Sequence, residues 1–194
     1  MKNTKVINIF GAPGAGKTCF MAGLFSYMKK NGYSCEMVTE YAKDLVYEHR
    51  KHTFTDELYI FAKQNHRLQR VNGQVDFIIT DRPLPLSIIY AERTYGECSS
   101  SFYSIVKDTF NQYGNINFLL ELPGSSNDYS QEGRFQDYSE SMIIQNRFIA
   151  IMKELGIPYG IINRDSAYES VVHTIWYYTS TDSVSVYNTH ERRR

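Results

Sequence analysis

Long apolar runs are missing from this chain of 194 residues. No stretch approaches the roughly 20 apolar residues that a bilayer-spanning helix needs, and the opening Met1-Lys2-Asn3-Thr4 has no signal-like character. The expectation is a cytoplasmic protein without a membrane partner. Net charge is missing too, because 21 Lys plus Arg balance 21 Asp plus Glu. A neutral chain argues against strong non-specific attraction to nucleic acid, although a local basic face survives such an average. Cysteine is sparse. Cys19, Cys35 and Cys98 are odd in number and lack metal-ligand spacing, which suits reduced, buried thiols and excludes a disulfide framework. His49, His52, His66, His173 and His190 show no ligand spacing either, and there is no nucleophile elbow. A metalloenzyme reading and an elbow-type hydrolase reading both fail.

What the chain has is concentrated near its start. An apolar run over residues 5–10 leads into Gly11-Ala12-Pro13-Gly14-Ala15-Gly16-Lys17-Thr18, which is followed by Cys19 and an amphipathic helical run to residue 28. The eight residues fit G-x-x-x-x-G-K-[ST], and strand before with helix after is the context that gives the pattern meaning. Glycines at 11, 14 and 16 let the backbone curl until its N–H groups form an anion-binding nest at a helix N-terminus. Lys17 then serves the terminal phosphates, and the Thr18 hydroxyl serves Mg²⁺. The residues from Gly11 to Cys19 are the expected nucleotide contacts.

A second strand over residues 33–39 ends at Glu40-Tyr41-Ala42-Lys43-Asp44. In an open parallel sheet, ligands gather beyond the carboxyl ends of the strands, so Glu40 is a candidate for binding or deprotonating an acceptor. The alternative is a helix-start charge favoured by the macrodipole. Helices are expected over residues 44–50 and 55–71, the latter with Leu58, Phe61, Ala62 and Leu68 as its apolar stripe and Lys63, Gln64, Asn65, Arg67 and Arg70 on its polar side. A third strand over 75–80 delivers Asp81-Arg82-Pro83. There an acid can hold the Mg²⁺ shell and an arginine can neutralise phosphate, an ordinary turn being the alternative.

Further on, residues 84–91 suggest a turn or short helix, and 102–113 a helix with Phe102, Ile105, Val106 and Phe110 on one side. A fourth strand spans 116–122. The polar loop 123–137 reads as a lid that brings Arg134 to the transferring phosphoryl group, with a plain surface loop as the alternative. A helix over 139–155, a fifth strand over 159–163 and a helix over 166–178 complete one domain, residues 1–178. Residues 179–194 read as a flexible tail ending in Arg192-Arg193-Arg194.

Strands alternating with helices predict an α/β fold: a doubly wound, mostly parallel five-stranded sheet with helices on both faces. One crevice would then collect Lys17, Thr18, Glu40, Asp81, Arg82 and Arg134. A protein that only binds nucleotide needs the loop, but neither a second carboxylate nor a lid. Phosphoryl transfer needs all of them. Two readings follow: ATP-dependent phosphoryl transfer to an acceptor hydroxyl, and a nucleotide-gated regulatory ATPase without an acceptor.

The chain resembles the small P-loop kinases of the thymidylate kinase and deoxynucleoside kinase class. Gly11 to Thr18, Val38-Thr39-Glu40-Tyr41-Ala42-Lys43-Asp44-Leu45-Val46, Ala62-Lys63-Gln64-Asn65, Asp81-Arg82-Pro83 and Gly133-Arg134 are similar to phage-encoded proteins of that class, among them hydroxymethyluracil DNA kinases. The resemblance implies ATP and Mg²⁺ as cofactors, Lys17 and Thr18 on phosphate and metal, and Glu40 as acceptor-side carboxylate. It further implies Asp81 and Arg82 at the metal shell and phosphate, and Arg134 as lid arginine. The acceptor it favours is a hydroxyl of a nucleoside-like group, hydroxymethyluracil in phage DNA first, with Lys43, Arg50, Lys51, Lys63, Arg67 and Arg70 as a basic strip for the backbone, and a free nucleoside, nucleotide or ribosyl-nicotinamide type substrate as the alternative. Oligomeric state stays open, a dimer included.

Overall fold

In the computed structural model, residues 2–124 and 137–180 are described. Among these residues, five strands alternate with seven α-helices. They are β1 (Lys5–Phe10), α1 (Lys17–Lys30), β2 (Cys35–Val38), α2 (Tyr41–Tyr47), α3 (Glu57–Gln69), β3 (Phe77–Thr80), α4 (Leu86–Tyr95), α5 (Ser100–Phe110), β4 (Gly114–Leu120), α6 (Tyr138–Glu154), β5 (Gly160–Ile162) and α7 (Tyr168–Ser180). A 3₁₀ turn at Lys51–Thr55 joins α2 to α3. The sheet order is β2-β3-β1-β4-β5 and every pairing is parallel. The expected architecture is therefore present, with all strands parallel.

The central strand shows why. Residues alternate across a strand, so β1 sends Val6 and Phe10 into one buried cluster and Ile7 and Ile9 into another. On the first face they meet Phe61, Ile88, Phe110, Phe148 and Met152 from α3, α4, α5 and α6. On the second they meet Leu24 and Met28 of α1 and Val172 and Ile175 of α7. Each such side chain contributes about 1.5–3 kcal/mol on burial, and a strand apolar on both sides has no stable place except the middle of a covered sheet. Asn8, the polar exception in β1, is buried and donates to Asn115 and Asn117 of β4 at 2.9 and 3.0 Å.

Several boundaries and faces differ from expectation. Helix α2 begins at Tyr41, directly after Glu40, and the 3₁₀ turn after it was unanticipated. In α3 the inward stripe is Glu57, Ile60, Phe61, Gln64 and Leu68, while Leu58 is 56% exposed. A hydrophobicity pattern assigns the charged and amide residues outward by type, and here Glu57 and Gln64 point inward because each has a buried polar partner waiting. In α6, Ile143 is exposed while Ile144 and Gln145 are buried. The proposed lid arginine, Arg134, the central part of the lid loop and the tail beyond residue 180 lie outside the described residues. No described helix is long and apolar enough to cross a membrane.

Candidate active site

Because all five strands run the same way, the carboxyl ends of β1, β2 and β3 open on one edge of the sheet, and the loops that follow them line a single cavity of about 760 Å³. The first of these is the glycine loop. Gly11, Gly14 and Gly16 all have positive φ, at 150°, 83° and 94°. A Cβ on Gly11 would lie 2.7 Å from the carbonyl oxygen of Leu120, so no side chain fits there. Two long-range contacts hold the loop from behind. Gln145 accepts from the Ala12 N–H at 2.9 Å, and Arg164 donates to the carbonyls of Gly14 and Ala15. Two of its carbonyls, those of Gly14 and Ala15, are thereby tied to Arg164. Lys17, the first residue of α1, donates to the Ala12 carbonyl at 2.9 Å. Burial lowers its pKa to about 8, an effect that Glu40 and Asp81 partly oppose and Lys43 and Arg82 reinforce.

Asp81 follows β3 and is buried. Its Oδ2 accepts from the Thr18 hydroxyl at 2.6 Å, and its Oδ1 is buried without a hydrogen-bond partner among the described residues. An orphaned carboxylate oxygen beside a threonine hydroxyl is a hard oxygen donor pair, the kind that suits Mg²⁺ carried in by phosphates. Thr18 and Asp81 therefore fit the metal expected of the sequence. Lys43, on the first turn of α2, reaches the same pair, 2.5 Å from Thr18 Oγ1 and 3.2 Å from Asp81 Oδ2.

Glu40 does line the cavity, as expected, but it does not cap α2 with its side chain. Its carboxylate instead binds Arg82 at 2.9 Å. Arg82 was expected to face phosphate. It is buried, its second Nη is 2.9 Å from Glu57, and its guanidinium lies 4.6 Å from the centre of the Tyr90 ring. Two carboxylates and an aromatic face hold this cation, and their charges keep its pKa above the usual arginine value despite burial. Arg82 is thus a fixed post that orients Glu40. Burial also pushes Glu57 upward, partly offset by Arg82, and pushes the Tyr90 hydroxyl up to about 12.

Gln64 and Arg67, expected on the polar side of α3, secure the segment around Glu40. Gln64 accepts from the Tyr41 N–H at 2.9 Å and donates to the Thr39 carbonyl, while Arg67 bonds Thr39 and Asp44. Of the expected basic strip, Arg50 pairs with Glu48, Arg67 with Asp44, and Lys43 turns into the site. Sequence reasoning missed Glu57, Tyr90 and Arg164, and the tie from Gln145 to Ala12. A buried-face position in α3 was the only signal for Glu57, and the others are fixed by contacts across the fold.

The cavity has two halves. Gly11, Lys17, Thr18 and Asp81 make a polar end, whereas Ala42, Val46, Phe54, Ile60, Leu86 and Tyr90 make an apolar one, with Glu40 among the lining residues. The first can hold a phosphate chain and metal. The second has the chemistry for a flat, partly apolar group.

Comparisons with known proteins agree with this geometry. A family model described as AAA domain matches residues 6–169. Among solved structures, the thymidylate kinase of Ehrlichia chaffeensis superposes with a TM-score of 0.61 at 16% identity, over 89% of this chain and 99% of that one. At that identity the likeness is one of fold. No curated protein matches the chain.

Proposed function

The chain belongs to the AAA domain family, and from that membership and its site we propose that it is a P-loop kinase, moving the γ-phosphate of ATP to a hydroxyl of a nucleoside-like acceptor. One observation carries the reading: a phosphate nest and a Thr18–Asp81 metal pair share one cavity with Glu40 and an apolar wall. A nucleotide switch has no use for the carboxylate and apolar half of such a cavity. Phosphoryl transfer is positioning and charge neutralisation, and each element has a part in it. The nest and Lys17 hold the phosphates. Thr18 and Asp81 would hold Mg²⁺, which would supply positive charge beside the phosphates. Glu40, oriented by Arg82, accepts the proton of the attacking hydroxyl.

The acceptor we favour is hydroxymethyluracil in phage DNA. What supports it is the resemblance in the glycine loop and in Glu40-Tyr41-Ala42-Lys43-Asp44, together with an apolar half that suits a pyrimidine ring. Incubation with γ-labelled ATP and, separately, DNA containing hydroxymethyluracil, free nucleosides and nucleoside monophosphates tests both levels. Label in the modified DNA is expected. Label in a free nucleoside or nucleotide instead would move the acceptor, and ADP formation indifferent to every acceptor would replace the kinase by a nucleotide-gated ATPase. Glu40→Gln should retain ATP binding and lose transfer by on the order of 10²-fold or more.

A further inference from the structure

The metal pair has a third partner. The Lys43 ammonium sits 2.5 Å from Thr18 Oγ1, one of the two oxygens assigned to Mg²⁺, and 3.2 Å from Asp81 Oδ2, on the carboxylate whose Oδ1 is the other, and its side chain is 42% exposed and lines the cavity. Mg²⁺ takes its oxygen ligands at about 2.0–2.1 Å in a near-ideal octahedron. An ammonium with three donors cannot stay there when the metal binds, because both cations would draw on the Thr18 oxygen and crowd one carboxylate at contact distance with like charge. The two arrangements exclude each other.

We infer that Lys43 is a tethered counter-ion that trades places with the divalent metal, and so acts as a positioning residue for the nucleotide site. Three features support this. Asp81 is buried to 1% exposure, and an ionised carboxylate in that setting needs a cation beside it. Lys43 lies two residues into α2, whose start is clamped by Gln64, so its backbone is fixed while four methylene carbons leave its head free to swing. The cavity into which it would swing is the one that holds Glu40, between the phosphate end and the apolar end. Metal arrival thereby delivers a cation to the place where the transferring phosphoryl group and the acceptor would meet. That last consequence rests on the kinase reading, whereas the exchange itself does not.

The experiment is Mn²⁺ binding to the ADP-saturated protein, followed by the loss of free-Mn²⁺ paramagnetic resonance, in wild type, Lys43→Met and Lys43→Arg. Removing the competing cation should tighten Mn²⁺ by at least fivefold in Lys43→Met, while Lys43→Arg, which keeps the charge, stays near wild type. In EDTA the Lys43→Met protein should melt at a lower temperature than wild type, a deficit that Mn²⁺ with ADP removes. Equal or weaker Mn²⁺ binding by Lys43→Met would overturn the exchange, as would equal tightening in both variants. In turnover, the kinase reading adds a fall in kcat with little change in KM for ATP. If Mn²⁺ tightens and no acceptor is ever phosphorylated, the counter-ion stands and the kinase falls.

Discussion

Gln145 Oε1 accepts a hydrogen bond of 2.9 Å from the backbone N–H of Ala12, across 133 positions of sequence. Both residues are buried, and the amide nitrogen of the same side chain faces the Leu120 carbonyl at 3.5 Å. Helix α6 therefore holds the entry to the phosphate loop against the end of β4. Gln145→Ala strands a buried N–H, which costs about 1–3 kcal/mol. Urea denaturation should show that loss, and MgATP should bind more weakly because the loop is no longer held in shape. Unchanged stability would mean that the loop needs no such tie.

Arg82 and Glu57 form a buried ion pair at 2.9 Å, with Glu40 as the second acid. Arg82→Met leaves Glu57 buried without its cation, a loss of about 3–5 kcal/mol. The sign of its pH dependence follows from Glu57. Burial raises that carboxyl above its ordinary value, so the folded state binds more protons than the unfolded one, and its contribution to stability falls as pH rises through the folded pKa. Without Arg82 to offset the rise, the fall deepens. The stability deficit of Arg82→Met should accordingly be smaller at pH 5 than at pH 8, and Glu57→Gln in the same protein should recover part of it.

Two glycines with positive φ give a matched pair. Gly11 has no room for a methyl group, since a Cβ would lie 2.7 Å from the Leu120 carbonyl, whereas Gly32 at φ 81° opens to solvent. Gly32→Ala should cost about 1 kcal/mol of backbone strain. Gly11→Ala should cost more than that and reduce nucleotide affinity as well, as thermal melting with and without MgATP would reveal.

The parts of this site that sequence could predict are those whose chemistry is local. The nest is spelled by three glycines within six residues, and Asp81 is announced by the apolar strand before it. Parallel order follows from alternation of strands and helices. Gln145, Arg164 and Tyr90 carry no such signal, because what makes them matter is a partner far along the chain. Gln64 and Glu57 were obscured for a related reason: amphipathic patterning treats a polar side chain as solvent-facing, and these two are buried against Tyr41 and Arg82. Arg82 was placed beside the phosphates by its neighbour Asp81; both line the cavity, but the Arg82 guanidinium is held by Glu40 and Glu57, partners that no local pattern announces.

Lys17 supplies a proton-linked prediction. Its pKa near 8 lies below the ordinary lysine value because burial disfavours the charge. Phosphates would restore the charged form and raise that pKa. MgATP binding at pH 8.5 should therefore take up protons, visible as a dependence of the calorimetric heat on buffer ionisation enthalpy, and affinity should fall as pH climbs past 8. Lys17→Met should abolish the proton uptake.

The central claim is that the glycine loop holds a nucleoside triphosphate together with its metal. Isothermal titration of the protein with ATP, and separately GTP, in excess Mg²⁺ tests it directly, with Lys17→Ala alongside. Saturable binding at one site is predicted, weakened by about tenfold or more in Lys17→Ala, as expected for one charge-assisted hydrogen bond. The variant should still fold, within about 1 kcal/mol of wild type. No heat of binding from either nucleotide would contradict the account at its root.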